Sequence, residues 1–95
     1  MGRSRRDHPK QLASKLLKLR STLSLTQEQM AERLRQIKPS VRPGHVSEYE
    51  RGLREPTLPL LLHYARIAGV YVDVLIDDEL DLPARLPARQ RSKLR

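Results

Sequence analysis

Residues 44–52 read Gly44-His45-Val46-Ser47-Glu48-Tyr49-Glu50-Arg51-Gly52, and their spacing describes a short helix. Val46 and Tyr49 are three apart, so they share a face and can be buried together. His45, Ser47 and Glu48 point elsewhere and are left for a partner. Pro43 suits a first helical position, because the N–H it lacks would be unpaired there. Gly52 suits the left-handed residue that ends a helix. Nine residues cannot hold a helix together in water, so the rest of the chain must brace this one.

On its N-terminal side, Thr26-Gln27-Glu28-Gln29 has the form of a capping box, with Thr26 at the cap and Gln29 three residues later. A helix over about 26–37 follows. Met30, Ala31 and Leu34 face inward, Glu28, Glu32, Arg33 and Arg35 face solvent, and Ile37 extends the apolar face by a turn. Pro39, Pro43 and Gly44 make Lys38–Arg42 a loop. Arg42 precedes a proline and is held out of helical geometry, so the central helix spans about 43–51. Further upstream a helix is expected from near Pro9 to about Thr22, with Leu12, Leu16, Leu19 and Leu23 on one face. Ser24 must turn the chain, where glycine would be easier.

On the C-terminal side, Thr57 caps a fourth helix with Pro59 in its permitted first turn. Leu58, Leu61, Leu62, Ala65 and Ala68 are its expected core face, and Gly69 ends it. Val70–Ile76 reads as a short fifth helix. Asp77, Asp78, Glu79 and Asp81 read as a solvated helix end, since they lack the alternating ligands and glycine turn of a cation loop. Pro83 and Pro87 then interrupt a charged tail expected to be mobile. The expected organisation is an arm over 1–8, a domain over 9–77 and a tail over 78–95.

The chain has 95 residues, enough for one domain with a modest core. It has no Cys, which excludes disulfides and thiolate metal sites. Phe and Trp are absent too, so the core must be aliphatic with a few Tyr, a composition that favours helix on helix. No apolar run has membrane-spanning length and no signal-peptide stretch opens the chain, so a cytoplasmic, non-membrane protein is expected. The net charge of +8 and pI near 10.6 point to a polyanionic partner. Residues 1–10 carry a net +3 and residues 84–95 a net +5, so the middle sums to zero. The basicity therefore sits in two tails, expected to be disordered in isolation. They either solubilise the chain or hold phosphates.

In this order, several of these residues resemble the lambda-repressor and Cro-like helix-turn-helix family of bacterial regulators, the XRE type. They are Leu16, Leu19 and Arg20, then Leu25-Thr26-Gln27-Glu28-Gln29-Met30-Ala31-Glu32-Arg33-Leu34, then Val46-Ser47-Glu48-Tyr49-Glu50-Arg51-Gly52. Arg54, Pro56, Leu58, Leu61, Leu62, Ala65, Gly69-Val70 and Asp73 follow. The resemblance implies an all-α, five-helix fold that binds double-stranded DNA, usually as a homodimer and without a cofactor. It implies that Gln27 bonds a phosphate at a helix N-terminus, and that Arg42, Gly44, His45, Ser47 and Glu48 face the major groove. Arg54 would touch phosphate, and Arg20 and Glu50 would form a buried ion pair. Three departures stand out. The turn before the central helix is about five residues longer than usual, with Arg35–Pro39 extra, that helix opens with Pro43-Gly44, and Ser24 stands where glycine is common.

Plainer readings compete at each position. Gln27 can be only a first-turn polar residue, His45 only a solvated one, and Glu48 repels phosphate unless it is neutralised. His63 reads as structural, and no two histidines have ligand spacing, so no metal is expected. Arg3, Arg5 and Arg6 are candidates for backbone or minor-groove contact. Val70, Val74, Leu75, Leu80 and Leu82 are the expected seam of a two-fold dimer. The leading function is a sequence-specific transcriptional regulator, with repression by promoter occupancy in first place. The alternative is an interaction module such as the antitoxin of a toxin pair, with its own protein partner. No nucleophile–base pair, metal set or phosphate loop supports an enzyme.

Overall fold

A computed structural model describes residues 8–87 of the chain. Its helices are α1 (Leu12–Thr22), α2 (Gln27–Leu34), α3 (Pro43–Glu50), α4 (Leu58–Ala68) and α5 (Val72–Ile76). Among the described residues the fold is all-α, and no helix is long and apolar enough to cross a membrane.

Local chemistry sets most boundaries. At the head of α2, Gln29 N–H donates to Thr26 Oγ1 (3.0 Å) and Thr26 N–H to Gln29 Oε1 (2.9 Å), a complete capping box. Thr57 caps α4, and Gly69 ends it in the left-handed conformation at φ 71°. Ser24 takes the same left-handed conformation after α1, at φ 60°. The expected helix starts are later by a few residues: α1 begins at Leu12 rather than Pro9, and α5 at Val72 rather than Val70. Likewise α2 stops at Leu34, and Ile37 is exposed beyond it.

The core gathers Leu12, Leu16 and Leu19 of α1, Met30, Ala31 and Leu34 of α2, and Val46 and Tyr49 of α3. From α4 it takes Leu60, Leu61, Tyr64, Ala65 and Ala68. This corrects the expected face of α4. Leu58 is 76% exposed and Leu62 39%, while Leu60 and Tyr64 are fully buried. A run of consecutive apolar residues carries no period, so neighbouring helices decide which side is covered.

Residues 78–87 are also part of the packed unit rather than a loose tail. Asp78 accepts the N–H groups of Lys10 (2.9 Å) and Gln11 (3.1 Å), and so caps the start of α1 from a distant segment. In return Lys15, buried on α1, donates to Val74 O (2.7 Å) and Asp77 O (2.9 Å) at the C-terminal end of α5. Leu82 is buried, and Leu86 packs against the core.

The expected dimer seam changes for the same reason. Val70, Leu75 and Leu82 are buried within their own protomer, and Val74 is half-buried. Only Leu80 of the five is exposed, so Val70, Leu75 and Leu82 serve the core of the chain, and Leu80 and part of Val74 are what the surface retains.

Candidate nucleic-acid interface

Helices α2 and α3 pack on one another through the inner residues of each. Val46, Tyr49 and Glu50 are the buried face of α3. That rotation leaves Gly44 exposed and Pro43, His45, Ser47 and Glu48 half-covered at its edge.

Glu50 is the junction of three elements. Arg20 Nε of α1 lies 2.6 Å from Glu50 Oε2, and Arg20 Nη2 donates to Oε1 at 3.1 Å. The side chains are 16% and 3% exposed, so the pair is shielded from water. The hydrogen bond to Glu50 raises the Arg20 pKa above its ordinary value, more than burial lowers it. Arg20 Nη1 also donates to Leu25 O (2.8 Å) and so braces the turn before α2. Gln27 Nε2 donates to the same Glu50 Oε1 at 3.1 Å. A carboxamide nitrogen carries two donors, so Gln27 keeps one N–H and its oxygen beyond this bond. The first helical N–H groups of α2, at Gln27 and Glu28, have no acceptor within the helix.

Outward side chains of α3 are tied to arginines that follow it. Arg54 Nε donates to Glu48 Oε1 at 2.7 Å, and Arg51 Nε to Ser47 Oγ at 3.2 Å. The Arg54 hydrogen bond holds the Glu48 carboxyl below its ordinary range and raises Arg54 in turn. Arg54 is exposed and Glu48 only half-covered, so the pair adds little stability, yet it offsets the charge that would repel a phosphate. Arg51 was not among the expected contacts. Its place four residues after Ser47 is the helical spacing that could have shown it.

His45 Nδ1 accepts the N–H of Arg42 at 3.0 Å. In the neutral ring this leaves the proton on Nε2, so His45 presents a donor outward. Arg42 itself is exposed, and its guanidinium has no partner among the described residues. A Cβ added to Gly44 would meet nothing within 4 Å, and its φ is unremarkable. Neither packing nor backbone therefore requires glycine there. Arg35, expected to face solvent, is half-buried and donates to Val41 O at 2.8 Å. Arg3, Arg5 and Arg6 lie outside the described residues.

The helix-turn-helix family matches the chain over residues 16–75. The chain belongs to the helix-turn-helix family. It is a DNA-binding domain of the transcriptional-regulator type. Compared with curated proteins, it has no match. Among solved structures, this helix-turn-helix chain is similar to the clp gene regulator ClgR from Corynebacterium glutamicum. One ClgR structure is 30% identical over 83% of this chain and 100% of that one, with a TM-score of 0.60. Another is 31% identical over 67% and 63%, with a TM-score of 0.58. The P22 c2 repressor bound to a synthetic operator shares the fold, at 19% identity over 70% of this chain and 94% of that one and a TM-score of 0.60. So does part of the hydroxypropylphosphonic acid epoxidase from S. wedmorenis, at 23% identity over 73% and 34% and a TM-score of 0.59. The helices alone thus do not define a function, and residue chemistry must supply it.

Proposed function

We propose that this chain is a sequence-specific regulator that sets α3 in the major groove of double-stranded DNA and represses by occupying a promoter in the cytoplasm. The observation that carries this reading is the contrast between Arg42 and its neighbours. Arg51 and Arg54 are occupied by Ser47 and Glu48, while Arg42 stands uncommitted at the head of α3. Arginine reads guanine through two parallel hydrogen bonds. Gly44 beside it has the open space for close approach of a duplex, and His45 Nε2 offers a further donor. In this reading Gln27, oriented by Glu50, and Arg54 hold the phosphate backbone. A salt-dependent gel shift on the protein's own promoter, followed by a genome-wide footprint, tests this. Retention at a few discrete sites supports it. Equal affinity for all duplexes contradicts it.

The functional unit of this reading is a two-fold dimer, with its two α3 helices about 34 Å apart on an inverted repeat. Tyr71, Ile76 and Leu80 are the exposed apolar side chains near α5 that such a seam would use. A monomer mass at micromolar concentration, with and without operator DNA, contradicts the dimer. Arg3, Arg5 and Arg6 complete the reading as a backbone-following arm. Deleting residues 1–6 should flatten the slope of log affinity against log salt by about 0.9 for each phosphate the arm neutralises, whereas an unchanged slope leaves them as solubilising charge.

A further inference from the structure

The turn joining α2 to α3 is hydrogen-bonded almost throughout. Leu34 O receives the N–H groups of Ile37 (2.9 Å) and Lys38 (3.0 Å), and Val41 N–H donates to Lys38 O (3.1 Å). The last bond closes a four-residue turn with Pro39 at its second position, where the ring presets the backbone. Val41 is fully buried, which pins the turn into the core. Its carbonyl accepts from Arg35 Nε at 2.8 Å. On the far side of the next peptide, Arg42 N–H donates to His45 Nδ1 (3.0 Å), and Arg42 O accepts from the N–H groups of His45 (2.9 Å) and Val46 (3.3 Å). Pro43 then restricts the residue before it.

The backbone of Arg42 is therefore gripped from both sides while its side chain is exposed and uncommitted. An arginine on a slack loop would lose affinity to the cost of ordering that loop, and here the ordering precedes any partner. We propose that Arg35 is a positioning residue for base reading: by holding the Val41 carbonyl it fixes the stem from which Arg42 reaches a base edge. The inference rests on the DNA-reading role proposed above for Arg42. It goes further in making the turn between α2 and α3 a built specificity element rather than a plain connection. A different use of Arg35, as a phosphate contact in its own right, has another signature. It would act on all duplexes alike and through salt.

The test uses the full chain as wild type, Arg35→Ala, Arg35→Lys, Arg42→Ala and the Arg35→Ala/Arg42→Ala double variant. Each is titrated at several salt concentrations against the duplex the wild type selects and against duplexes changed at one base pair. Arg42→Ala should lower discrimination at one base pair by about 5- to 150-fold. Arg35→Ala should lose most of the discrimination at that same base pair with the salt slope unchanged. The double variant should discriminate there no worse than Arg42→Ala. Arg35→Lys should restore part of it, since an ammonium can still reach the carbonyl. Ratios between duplexes do not depend on the folded fraction, so partial unfolding of a variant does not mask the result. Wild-type discrimination in Arg35→Ala overturns the inference, as does a uniform loss with the slope flattened by about 0.9. A wild type that selects no motif overturns the DNA-reading role itself, and that outcome is visible before any variant is compared.

Discussion

Gln27 Nε2 donates to Glu50 Oε1 at 3.1 Å, joining the first residue of α2 to the last residue of α3. The carboxylate that accepts this bond also holds Arg20 of α1. One buried acid thus links α1, α2 and α3 and orients the amide that heads α2.

Removing that acid should cost both stability and placement. Glu50→Ala leaves Arg20 without its ion-pair partner in a shielded site, for which a loss of about 3–5 kcal/mol is expected. Urea unfolding measures it. A midpoint near the wild type would show that the pair contributes little. Glu50→Gln keeps the shape and a carbonyl acceptor for Arg20, so it should lie between the two.

Ser24 is a position where the chain can be improved. Its φ of 60° carries a side chain into the left-handed region. The N–H of Leu25 closes the end of α1 on Arg20 O at 3.1 Å, so the turn cannot relax without losing that bond. Ser24→Gly should stabilise the fold by up to about 1 kcal/mol, the relief of strain exceeding the added freedom of the unfolded chain. Denaturant titration checks the sign, and a clear loss would mean that the serine side chain contributes more than its strain costs.

The cap that Asp78 places on α1 should be sensitive to acid. The backbone N–H groups of Lys10 and Gln11 hold the Asp78 carboxyl below its ordinary range. A pKa lowered in the folded state contributes stability above the ordinary carboxylate range, and this is lost as pH falls through the lowered value. The Lys10 and Gln11 amide resonances should therefore shift with a midpoint below that of a free aspartate. In Asp78→Ala that titration should vanish, and amide exchange in the first turn of α1 should quicken. Protection unchanged in the variant would show that the cap does not hold the helix start.

Much of the fold was legible because its signals are local. Thr26 with Gln29, Pro43, Gly69 and the spacing of Leu12, Leu16 and Leu19 each act within a turn or two of helix, where sequence pattern and physics coincide. The interface was legible to the extent that it follows from α3: burying Val46 and Tyr49 places Gly44 outward. What was not legible depends on residues far apart in the chain. Asp78 reaches Lys10 across 68 residues, so it reads as solvated along with its exposed acidic neighbours when it is a cap. Val70, Leu75 and Leu82 look like surplus apolar surface until the folded core is seen to cover them. Arg35 looks like one more solvent-facing charge, because the carbonyl it holds belongs to a turn whose path no pattern announces.

Removing the Arg42 side chain tests base reading by this protein most directly. Binding-site selection on random duplexes should be run in parallel for the wild type, Arg42→Ala and Gln27→Ala at one salt concentration. The expected result is a motif for Arg42→Ala that is relaxed at a single base pair, and an unchanged motif with uniformly weaker binding for Gln27→Ala. If Arg42→Ala returns the wild-type motif with only a uniform loss of affinity, Arg42 is a phosphate contact. Sequence choice then comes from His45, Ser47 and Glu48 or from DNA shape.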